Sequence, residues 1–101
     1  MPWPDLPDDF QKKHRSVWVD VDYNLFDAER CNALYHEYLD ELEFAEKVGF
    51  DGICVNEHHS NAYGLVPSPN LMAATLARRT KDAGLVVLGN SIALYNPPTR
   101  V

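Results

Sequence analysis

The densest group of chemistry-bearing side chains in the sequence is Asn56-Glu57-His58-His59. Histidine exchanges a proton near neutral pH, and a neighbouring carboxylate can orient the ring and stabilise its cation. The group comes directly after the apolar run Gly52-Ile53-Cys54-Val55, which reads as a strand buried on both faces, so it falls at a strand's carboxyl end. Consecutive residues of an extended segment point to opposite sides, so one of the two histidines faces a given pocket. Two readings stay open from these residues alone: acid–base catalysis, or a histidine bonded to backbone at a strand end. Metal ligation is not assigned. The group lacks the i, i+4 helical spacing of H-E-x-x-H, and Cys31 and Cys54 form no C-x-x-C pair.

Two more polar clusters adjoin apolar runs. One is Asp20-Val21-Asp22-Tyr23-Asn24; the other is Gly89-Asn90-Ser91. In the second, glycine lets backbone approach a flat ligand and asparagine tolerates unusual dihedrals, although a β-bulge has the same composition. Parallel α/β folds bind ligands where strand carboxyl ends meet the next loops. Neighbouring strands lie ~4.8 Å apart, so the three clusters are expected on one rim. The loop over residues 60–68 either covers that rim, with Tyr63 as an apolar wall and Gly64 as a hinge, or is an ordinary connection. Trp18 and Tyr95 add aromatic surface nearby. His14 and His36 read as solvent-exposed and receive no role. Neither G-x-G-x-x-G nor G-x-x-x-x-G-K-[ST] occurs.

The elements that must carry these clusters emerge from periodicity. Residues 15–21 contain Ser16-Val17-Trp18-Val19 and read as a first strand. Asp27 caps a helix to about residue 48, along which Cys31, Leu34, Tyr35, Tyr38, Leu42 and Ala45 form one apolar stripe. Gly49 ends it, with Phe50 packed back on the last turn. Residues 52–56 form a second strand. Ser68 and Pro69 start a helix running to about residue 81, and residues 85–88 form a third strand. The order β-α-β-α-β predicts right-handed crossovers on a parallel sheet. Residues 1–14, with three of the seven prolines, read as an arm; residues 15–101 form the domain.

Composition narrows the function classes. Hydrophobic residues make up 46% and charged residues 24%, the balance of a globular domain. The net charge of −6 argues against nucleic acid and anionic membranes as partners. The acidic, proline-rich start is unlike a secretory signal, no apolar run is long enough to span a bilayer, and two isolated cysteines suit a reducing cytoplasm.

Longer segments carry a resemblance. The runs Glu46-Lys47-Val48-Gly49-Phe50-Asp51-Gly52 and Val55-Asn56-Glu57-His58-His59 resemble the junction into a βα unit of luciferase-like flavin-dependent monooxygenases. The run from Tyr63 to Ala74, with Leu76-Ala77-Arg78-Arg79-Thr80, resembles the next helix of that family. Leu88-Gly89-Asn90-Ser91-Ile92 and Asn96-Pro97-Pro98-Thr99-Arg100-Val101 resemble its third strand and the segment after it. The resemblance implies a (β/α)8 TIM barrel with flavin mononucleotide (FMN) at the carboxyl-terminal rim. It also implies reduced flavin supplied by a separate reductase, and dioxygen used to oxygenate a small organic substrate. In some relatives a deazaflavin takes the place of FMN. His58 would assist proton transfer beside the flavin, with Glu57 supporting it. Asn56, Gly89, Asn90 and Ser91 would lie on the cofactor side, and Tyr63 and His59 on the substrate side. Three strands are fewer than eight, so the chain is expected to be the N-terminal part of an incomplete barrel, with an uncovered sheet that favours association into a homo-oligomer. Two other readings remain open: a truncated, non-catalytic α/β module acting through protein partners, and a metal-dependent barrel hydrolase using His58 and His59.

Overall fold

Helix formation is set by local signals at both ends of the longest element. The computed structural model describes residues 1–19 and 21–94. In it, Asp27 Oδ1 accepts the Arg30 N–H at 2.6 Å and so caps α2, Ala28–Lys47. Gly49 takes φ +94°, its N–H reaches Glu46 O at 3.0 Å, and the Phe50 N–H reaches Ala45 O at 3.1 Å. This is a Schellman closure, which satisfies carbonyls that the helix leaves open. The Phe50 side chain stays exposed rather than packing back. A short helix α1, Phe10–Lys13, precedes α2.

Strands β1, Gly52–Asn56, and β2, Gly84–Leu88, pair in parallel from Gly52↔Gly84 to Asn56↔Leu88. Helix α3, Pro69–Arg79, connects them. Pro69 occupies its first turn, where a missing N–H costs nothing, while the Ser68 side chain makes no capping bond. Both long helices cover the same face of the sheet. Leu39 of α2, Met72 and Leu76 of α3 and Val66 of the connection pack on Ile53 and Val55. The expectation that β1 is buried on both faces is therefore corrected. Its burial alternates, and the other face, with Cys54, Val86 and Leu88, is exposed.

The expected first strand is also corrected. Residues 15–19 and 21 form no strand, and Asp20 lies outside the described residues. The backbone there bonds elsewhere: Val17 O accepts the Ala62 N–H at 3.0 Å, and the Trp18 N–H meets Ser16 Oγ at 3.0 Å. The sheet among the described residues thus has two strands in an α/β arrangement, not three. The amino-terminal residues are strapped across α2 and the β1–α3 loop. Trp3 and Phe10 are buried at 7% and 4% exposure. The Trp3 N–H donates to Ala62 O at 2.9 Å, and Tyr38 Oη donates to Pro2 O at 2.8 Å.

One side chain fixes the foot of the sheet. Glu46 Oε1, near the end of α2, accepts the N–H groups of Lys81, Asp82 and Ala83 at 2.9, 2.7 and 2.8 Å. Helix α3 stops at Arg79, earlier than periodicity predicts, because Thr80 is already extended and the next three residues turn onto Glu46. Arg79 reaches back to Asp40 and Glu43, joining the two helices.

Candidate active site

At the other end of the sheet, β1 runs straight into Glu57. The side chain of Glu57 is only 3% exposed. Its Oε1 lies 2.6 Å from His59 Nε2, and its Oε2 accepts the Ser91 N–H at 2.8 Å. One carboxylate thereby joins the exit of β1 to the loop beyond β2. These bonds favour the ionised form, so the carboxyl is held below the ordinary glutamate value, first by His59 and then by the Ser91 N–H.

His58 has different surroundings. Its N–H donates to Val66 O at 2.8 Å, which folds the loop back beside β1. The imidazole stands edge-on to Trp18 and to Tyr63, each with ring centroids 5.3 Å away. Those two aromatic rings stack on each other at 4.0 Å. The alternation of an extended segment thus separates the histidines: His59 goes to the carboxylate and His58 to the aromatic pair. A cavity of about 330 Å³ opens beside both, walled by Trp3, Tyr23, Phe26 and Leu65 together with His58 and His59. That volume is at the lower end of pockets that take small organic molecules. No Lys or Arg among the described residues lines it.

The remaining candidates fall in two places. Asn90 Nδ2 donates to Asn70 Oδ1, in the first turn of α3, at 3.2 Å, while Asn90 Oδ1 is buried with no hydrogen-bond partner. Gly89 takes φ +89°, and a Cβ built there would meet nothing within 4 Å. Asn56 is not with the cavity. It lines a second hollow on the open face of the sheet, with Cys54, Leu88 and Tyr38. Tyr95 and residues 96–101 lie outside the described residues. His36 is exposed and His14 stacks on Phe10 at 4.5 Å. Among the described residues no group of three or more His, Cys, Asp or Glu is placed to hold a metal ion.

Two contributions go beyond the residue pattern. Composition places Trp18 in a strand near the rim, yet its ring stands directly against His58. Asn61 braces the loop, donating to His59 O at 3.1 Å and accepting the Gly64 N–H at 2.9 Å. A polar residue two places after a histidine pair is the only sequence signal that points to it.

The family model for luciferase-like monooxygenases matches residues 24–99. The chain belongs to that family. Its sequence is 35% identical over 80 residues to the uncharacterized protein y4wF of Sinorhizobium fredii, covering 74% of this chain and 23% of that protein. It is 40% identical over 59 residues to the 4-hydroxyprotoasukamycin monooxygenase of Streptomyces nodosus subsp. asukaensis, covering 58% of this chain and 16% of that enzyme. The chain therefore spans less than a quarter of either relative's length. No solved structure matches it. No helix among the described residues is long and apolar enough to cross a membrane.

Proposed function

We propose that this chain supplies one part of the catalytic rim of a flavin-dependent monooxygenase built on a (β/α)8 barrel, which uses reduced FMN and dioxygen to oxygenate a small organic substrate. The observation that carries this reading is the Glu57 carboxylate. It ties the histidine pair at the end of β1 to the loop at the end of β2, with contacts of 2.6 and 2.8 Å. Ligand sites of parallel α/β folds lie at such joined strand ends.

The local chemistry suits the flat part of a flavin. At Gly89 the backbone stands bare, with open space where a side chain would be, and the neighbouring Asn90 has a buried, unpartnered amide oxygen. Gly89, Asn90 and Ser91 would hold the ring system, with Asn56 on the same sheet end. When bound, reduced flavin supplies the electrons and the site of dioxygen activation. The protein's part is to move a proton and to keep water out. His58 moves the proton at a ring nitrogen, within the wall made by Trp18 and Tyr63. Glu57 and His59 hold the loop at residues 89–91 in place. The aromatic cavity takes an apolar organic substrate, with His59 in its wall and Tyr63 behind the His58 ring. A separate reductase would supply the reduced cofactor in a reducing cytoplasm, and the open sheet face would be covered in the whole protein or a homo-oligomer of it.

The test uses the full-length protein. Reduced FMN added anaerobically should raise its melting temperature, because a ligand selective for the native state stabilises it. His58→Ala should lower turnover by about 10²–10⁴-fold, the range for an acid–base group. No thermal response to reduced FMN, or unchanged turnover in the variant, would remove this reading.

A further inference from the structure

We infer that Gly64 is a positioning residue for the His58 imidazole, through the space it leaves rather than through any flexibility. The inference rests on the reading that His58 moves a proton, and it specifies how that ring is held. A Cβ built on Gly64 would lie 2.3 Å from His58 Cδ2, 2.6 Å from Cγ and 2.7 Å from Cβ. Real Cβ atoms are not found so close, and the atoms met are not the free end of a flexible side chain. The backbone of Gly64 is not left-handed, since positive φ among the glycines is confined to Gly49 and Gly89. A left-handed backbone is therefore no obstacle to alanine at this position, and the three nearest atoms that a new Cβ would meet all belong to His58.

Neither partner can simply step aside. The main chain of His58 is held to Val66 O at 2.8 Å, and Trp18 and Tyr63 flank its ring. The chain at residues 62–65 is pinned as well. The Ala62 N–H bonds to Val17 O at 3.0 Å, the Gly64 N–H to Asn61 Oδ1 at 2.9 Å, and the Leu65 N–H to Met1 O at 3.0 Å. A methyl group at residue 64 must then turn the imidazole out of its seat or force the loop off β1. Glycine at this place is what lets the ring occupy the site wall.

A double-mutant cycle in the full-length protein tests this. Gly64→Ala and His58→Gly are made singly and together, since His58→Gly removes the three nearest atoms that the new methyl would meet. Gly64→Ala alone should lower the melting temperature and shift the His58 ring-proton resonances away from the positions set by Trp18 and Tyr63. In the His58→Gly background the same methyl should lower the melting temperature by roughly half as much or less. If Gly64→Ala alone fails to fold, recovery of folding in the double variant supports the inference, and failure of both overturns it. Equal losses in the two backgrounds, or unmoved His58 resonances, also overturn it. These readouts use no flavin, so they separate this inference from the proposed activity. Where turnover is measurable, Gly64→Ala should lower kcat on the order of 10²-fold and leave the KM for reduced FMN within about twofold, because the variant disturbs an acid–base group and not the cofactor loop. A loss confined to KM would count against it.

Discussion

Two glutamates close opposite ends of the same strand pair, and they do it differently. At the foot, Glu46 Oε1 receives three backbone N–H groups within 2.7 to 2.9 Å. At the rim, Glu57 receives one backbone N–H, that of Ser91, and gives its other oxygen to the half-exposed His59. Both carboxyls are held below the ordinary glutamate value. For Glu46 the causes are the N–H groups of Ala83, Asp82 and Lys81; for Glu57 the first cause is His59. Amides do not titrate, so the foot responds only to the carboxylate's own protonation. The rim relies instead on a second side chain, His59, carried on the half-exposed loop after β1. The comparison teaches that one chemical device, a carboxylate receiving N–H bonds, braces main chain to main chain at the foot and ties main chain to a second side chain at the rim.

The comparison can be broken most forcefully at Glu57. Glu57→Ala in the full-length enzyme should free the loop at residues 89–91 and lower turnover by roughly 10²-fold or more, with weaker binding of reduced FMN. Glu46→Ala should leave turnover within a few-fold. Equal losses of turnover in the two variants would erase the distinction. Next in size is stability. Glu46→Ala leaves three N–H groups without their acceptor and should lower the melting temperature by several degrees, more than Glu57→Ala does, as followed by circular dichroism.

Acid sharpens the contrast further. A carboxyl whose folded value lies below its unfolded value of 4.5 contributes stability above that pH, and loses it as pH falls through the depressed folded value. Melting temperature should therefore fall steeply below about pH 4.5 in the parent and less steeply in Glu46→Gln, which keeps an acceptor oxygen but no charge. Parallel acid limbs would contradict the assignment. The smallest effect belongs to Gly52→Ala. Its new Cβ would sit at an ordinary 3.5 Å from Gly84 O, so stability should change by no more than about 1 kcal/mol in denaturant titration.

Much of this molecule was legible because local physics decided it. Asp27, Gly49 and Pro69 act on neighbours within a few residues, and the structure places each as the sequence implies. The alternation through Glu57-His58-His59 gives the two histidines different side-chain partners, but both line the cavity where the sequence implies one. The first strand was not legible. Val17, Trp18 and Val19 have strand composition, but the Val17 carbonyl and the Trp18 ring are taken up by Ala62, Tyr63 and His58, about forty positions away. Composition cannot distinguish a β-branched residue in a sheet from one beside a loop. Glu46 was hidden for the same reason: it resembles any polar residue on a helix, and its partners lie 35 to 37 residues further on. Gly64 reads as a hinge because glycine commonly supplies freedom. Only the position of the His58 ring reveals that the missing side chain matters.

The facing pair Gly52 and Gly84 has one more implication. The strands begin alongside each other with no side chains to lock their alignment, and a slip of one place would swing Ile53 and Val55 toward open solvent. Besides that burial, two contacts at this end help hold the alignment: the Gly84 N–H on Asp51 O at 2.9 Å, and the anchored turn just before it. The end of α2 thereby helps set the phase of the pairing that keeps Ile53 and Val55 under the helices.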